Sequence, residues 1–77
     1  MSKATNAFKA ALIRKGLIGE KSGIAIVHGI DGEDNILAKW RAVADGYVHK
    51  GHRVRVDMGV ERLTFNESRV WPIVTVL

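Results

Sequence analysis

The sequence predicts an α+β domain: a small sheet with two helices, in the approximate order α-β-α-β-β-β. Three observations carry that prediction. Two stretches space their apolar residues at helical intervals and are each followed by glycine, a branched apolar run lies between them, and a two-residue alternation begins after Gly51. For 77 residues the monomer surface law gives about 4,700 Å² folded against roughly 12,000 Å² extended, which implies one modest core and a single compact domain over 1–77. Residues 1–3 are expected to be flexible.

The first helix is expected between Ala4 and Lys15. Ala4, Phe8, Ala11 and Leu12 form its apolar stripe, with Lys9, Arg14 and Lys15 on or near the borders. Gly16 is placed to end it in the left-handed conformation, with Leu17 packing back on Leu12. GLIGEKSG then reads as a loop. Ile24–Ile30, IAIVHGI, has the composition of an interior strand.

Asp31 is expected to cap the second helix, and Glu33 and Asp34 favour its positive end. Ile36, Leu37, Trp40, Val43 and Ala44 make the buried face, and Gly46 offers a second left-handed exit. Next, Val54, Val56 and Met58 alternate with Arg53, Arg55 and Asp57, so the arginines share a wet face. Gly59 interrupts the pattern, which predicts a tight turn or bulge at Met58-Gly59 and a separate strand in VERLTF ending at a core Phe65. The final strand is VWPIVTVL. Because Pro72 has no N–H, that strand is expected at a sheet edge, or bulged, at its start. A right-handed crossover through the second helix would join the first strand to the Arg53–Met58 strand.

Composition excludes several functional classes. Without cysteine there are no disulfides, thiolate zinc sites or iron–sulfur ligands. No run approaches the roughly 20 apolar residues of a membrane span, and Met1–Leu12 lacks the order of a signal peptide, so a cytoplasmic protein with no membrane partner is expected. A hydrophobic fraction of 47% argues against a disordered basic tail. Asp31, Glu33 and Asp34 are explained by the helix start. Asp57 and Glu61, as cross-strand neighbours around Gly59, would lack a defined pocket, and no Ser-His-Asp arrangement is present. His28, His49 and His52 lack diagnostic ligand spacing. Neither enzymatic activity nor a metal or cofactor is expected.

Charge is the informative feature. Twelve Lys and Arg face eight Asp and Glu, a formal net charge of +4. The bases fall in two segments, Lys9, Arg14, Lys15 and Lys21, then Lys50, His52, Arg53, Arg55 and Arg62, with Arg62 expected to extend the Arg53–Arg55 patch. Such groups suit phosphate, so the expected activity is non-enzymatic binding of DNA, RNA or a nucleic-acid-associated protein. Gly16–Gly19 supplies a GxxG tetrapeptide flanked by Lys15 and Lys21, similar to the backbone-clamping loop of KH-type modules. That loop lies between helices, whereas Ile24 onward reads as strand, and GEKS departs from a P-loop at Glu20. Both glycines are therefore assigned to chain turning. The alternative is a small inhibitor or regulatory adaptor acting on an acidic protein surface. It would use Tyr47, Trp71 and Ile73 as protein contacts, and the C-terminal strand as a homodimer edge.

Overall fold

Helix α1 (Lys3–Arg14) opens the chain in the computed structural model, which describes residues 3–19 and 23–77. Lys21 and the expected flexibility of residues 1 and 2 lie outside the described residues. α1 buries Ala4, Thr5, Phe8, Ala11 and Leu12, the predicted stripe with Thr5 added. Gly16 adopts φ +72°. Leu17 N–H donates to Leu12 O at 3.0 Å and Gly16 N–H to Ile13 O at 3.0 Å, the two bonds of a Schellman end.

Strand β1 (Ala25–His28) is shorter than the predicted seven-residue run, and only Val27 in it is buried. It is an edge strand with one face uncovered, so Ile26 stays 49% exposed. Ile30 belongs to helix α2 (Gly29–Asp45). The chain turns at Gly29, with φ +70°, two residues before the expected cap. Asp31 therefore sits in the first turn while His28 holds the N-cap position without a side-chain bond. Trp40 and Ala44 are buried, and Ile36, Leu37 and Val43 pack partly buried against the same core. Gly46, at φ −103°, is not left-handed. α2 ends instead by tightening, with Gly46 N–H to Val43 O and Tyr47 N–H to Ala44 O.

A short strand β2 (Val48–His49) and the long β3 (His52–Arg62) form a hairpin. Lys50 and Gly51 turn it with φ 52° and 84°, the pair of positive values that a two-residue I′ turn needs. β3 runs through Gly59 in unbroken register with β4 (Glu67–Val76), from Val54↔Val76 to Arg62↔Ser68. The expected turn or bulge at Met58-Gly59 is thus absent, and Val60–Arg62 continue the same strand. Gly59 faces Trp71 across the ladder, and a Cβ there would collide with Cε2 and Nε1 of the indole. The glycine accommodates the tryptophan.

Leu63–Asn66 closes the β3–β4 hairpin. Thr64 Oγ1 accepts from Glu67 N–H at 3.0 Å, and Leu63 N–H donates to Glu67 O at 2.8 Å. Phe65, expected in the core, is 95% exposed at this tip, because the strand ends at Arg62 and the hairpin projects beyond the layer of helices.

The sheet order is β1-β4-β3-β2, with every pairing antiparallel. β1 and β3 both oppose β4 and so run parallel to each other, joined by the crossover through α2. β4 is flanked on both sides from Ser68 to Val70, the reverse of an edge at its start. Pro72 lies past Val70, the last residue paired with β1, where its missing N–H breaks no bond to that strand. One sheet face carries Val54, Val56, Ser68, Val70 and Pro72 against Phe8, Leu12, Trp40 and Ala44. The other face is uncovered. Surface area totals 4819 Å², close to the surface-law value, and the body measures 40 × 22 × 20 Å.

Gly59→Ala is expected to cost about 1–3 kcal/mol in urea unfolding, through collision with the indole. In a Trp71→Ala background the same change should cost less than about 0.5 kcal/mol. Equal costs in the two backgrounds would show that the indole is not the reason for the glycine.

Candidate polyanion-binding surface

Three chain segments meet at one end of the long axis. α2 starts beside the β3–β4 hairpin, where Gly29 N–H donates to Asn66 O at 2.7 Å, and runs back along β3. At its far end Arg53 Nη2 donates to Asp45 O at 3.1 Å, so an arginine satisfies a carbonyl at the negative end of the helix. The Lys50-Gly51 turn follows that end of α2, and Arg14 and Lys15 at the end of α1 border its last turns beside Val43 and Tyr47.

Two clefts flank the last turns of α2. One, of about 350 Å³, carries Arg41, Arg53 and Arg55 around a lining that includes Ala44, Val54 and Val56. The other, of about 490 Å³, is bordered by Arg14, Lys15, Val43 and Tyr47. Asp57 stands 3.6 Å from Arg41 Nη2 and 3.4 Å from Arg55 Nε. All three side chains are about half exposed, so these pairs hold the guanidinium groups without withdrawing them from solvent. Each arginine carries five N–H donors, and most are left to face an incoming anion.

The balance of charge is one-sided. Arg14, Lys15, Arg41, Lys50, Arg53 and Arg55 are six cations at this end against the two carboxylates Asp45 and Asp57. That is a local formal excess of +4 around the last turns of α2.

Of the residues predicted from sequence, Arg53 and Arg55 line one cleft, Arg14 and Lys15 line the other across the last turns of α2, and Lys50 sits in the β2–β3 turn. Arg62 joins neither cleft. Because β3 is continuous, its even position turns it to the helix side, where Nη2 lies 3.7 Å from Glu33 Oε2. Lys9 is half-buried, its side chain running past Gly23. Arg41 was hidden by its setting in the net-negative 31–45 segment. Its signal is helical spacing, beside buried Trp40 and three residues before buried Ala44.

The predicted protein contacts separate onto two faces. Tyr47 meets Phe8 edge-on, with centroids 5.2 Å apart, and belongs to the core margin. Trp71 and Ile73 lie on the uncovered sheet face, Trp71 half-buried over Gly59 and Ile73 47% exposed. Asp57 and Glu61 are on one strand rather than across from each other, and Glu61 accepts from Arg69 Nη1 at 2.6 Å. His28 is exposed, 3.4 Å from Glu67, and His49 faces His52 across the turn. Among the described residues no three His, Cys, Asp or Glu gather as a metal site, and no helix is long and apolar enough to cross a membrane.

Tyr47→Ala should lower stability by about 2 kcal/mol, through lost contact with Phe8, while Ile73→Ala changes it by less than about 0.5 kcal/mol. Urea midpoints distinguish the two, and equal small effects would return Tyr47 to the surface. Comparison with protein-family models, curated proteins and solved structures finds no match for this chain.

Proposed function

We propose that this protein binds the phosphate backbone of a nucleic acid, alone or within a ribonucleoprotein, as a non-enzymatic cytoplasmic module. One observation carries the reading: six cations against two carboxylates gather around the last turns of α2, with arginines around a cleft. Phosphate neutralisation by arginine needs no preformed catalytic geometry, and guanidinium forks match phosphate oxygens in pairs. Contacts of this type position a chain on a polyanion without selecting its sequence. The contacting groups are Arg14, Lys15, Arg41, Lys50, Arg53 and Arg55. The second reading, an adaptor on an acidic protein surface, is supported by the exposed Leu77 in the lining of that cleft, an apolar group that phosphate does not use.

Fluorescence anisotropy with RNA, single-stranded DNA and duplex DNA across a salt series tests the proposal. With six cations engaged, log K should fall against log salt with a slope of about −5 on duplex and about −4 on single strands. Arg41→Gln with Arg55→Gln should reduce the duplex slope by about 2, whereas Arg62→Gln leaves it unchanged. Absence of saturable binding to all three polymers at low salt would overturn the proposal and favour the acidic protein surface.

A further inference from the structure

Among the described residues Phe65 is the least buried large apolar side chain, 95% exposed at the tip of the β3–β4 hairpin. The hydrogen bond from Gly29 N–H to Asn66 O ties that tip to the start of α2, so Ile30, 69% exposed, lies at the same end. This end is acidic. Asp31, Glu33, Asp34, Glu61 and Glu67 outnumber Arg62 and Arg69, for a local charge of −3. Among the described residues Asp31 and Asp34 make no ion pair.

The opposite end offers the complement. Its arginine cleft of about 350 Å³ has in its lining the exposed Leu77, together with Ala44, Val54 and Val56, which are themselves buried. An apolar cavity of about 150 Å³ is enough to hold benzene, so the cleft has room for a phenyl ring. A ring entering there also meets guanidinium groups, which attract its face. From Arg55 to Arg62 is seven residues, about 24 Å at about 3.4 Å each, so one chain cannot fold its own Phe65 back into its own cleft.

We infer that the occupant is a second copy of this chain, Phe65 of one copy entering the arginine cleft of the next, with the acidic end facing the basic one. Each added copy leaves one Phe65 and one cleft unused, so the contact propagates head to tail instead of closing. Apolar insertion supplies the anchor, and the opposed charges set the polarity. The inference does not rest on nucleic-acid binding and is tested in polymer-free buffer.

Sedimentation equilibrium of the full chain at low salt should give a weight-average mass that rises steadily with concentration and falls as salt is added. Phe65→Ser, at a site with almost no contacts to lose, should keep the fold by circular dichroism and weaken association by about thirtyfold. Arg41→Glu with Arg55→Glu should do the same from the other side. Mixed one to one, the two variants retain one intact Phe65 and one intact cleft between them, and should form a dimer that grows no further. A wild-type chain that stays monomeric, a mass that levels off at the dimer, or a variant mixture that stays monomeric would each overturn the inference. At protein concentrations too low for association, Phe65→Ser should leave oligonucleotide affinity unchanged, which separates a failure here from a failure of the phosphate reading.

Discussion

Trp40 is the side chain on which the two layers depend. It is fully buried, and its indole N–H donates to Leu17 O at 3.1 Å, immediately after the Schellman end of α1. Burying about 150–250 Å² at about 25 cal/mol per Å² contributes roughly 4–6 kcal/mol. A domain of this length has a net stability of roughly 4–12 kcal/mol, so one residue accounts for a share comparable to the whole margin. The hydrogen bond adds direction to that burial. Without it a buried donor would be orphaned at a cost of about 1–3 kcal/mol, so the exit of α1 is held where the carbonyl of Leu17 can meet the ring. That fixed exit places Arg14 and Lys15 beside the last turns of α2, which makes the basic end a consequence of core packing.

Local signals were legible in the sequence where their causes are local. The stripe of α1, Gly16 and the buried face of α2 follow from spacings of three to five residues, and each is found as expected. In sequence Gly59 has the signature of a break, because its cause, the Trp71 indole, lies twelve residues away and becomes a neighbour only once the strands are in register. The difference has consequences. A break at Gly59 reset the alternation, which moved Arg62 to the wrong face and turned Phe65 inward. Within the candidate site, Arg53 and Arg55 were readable from strand parity alone. Arg41 was not, because a count of net charge over a segment averages away a cation that tertiary folding separates from its acidic neighbours.

Asp57 has a double part in the cleft. By standing between Arg41 and Arg55 it lowers the local positive charge, yet it holds two long side chains that would otherwise lose rotamer freedom on binding. An incoming anion must compete with it, but at half-exposed positions such pairs are worth under about 1 kcal/mol. Phosphate and a phenyl ring would use the same arginines, so the two proposed occupants exclude one another, and each reduces the affinity for the other by the same factor.

The place of β4 in the sheet has a consequence for how the protein is made. Within the described sheet β1 has one strand neighbour, β4, and its pairings join residues 39 to 45 positions apart, from His28↔Glu67 to Ala25↔Val70. At translation rates of about 5–20 residues per second, β1 leaves the ribosome roughly 2–9 s before the strand that will cover its edge. During that interval Ile26 and Val27 belong to an apolar segment with no strand partner. Sheet closure is thus a late event in synthesis, and the nascent chain is most exposed to wrong partners before its central strand has emerged.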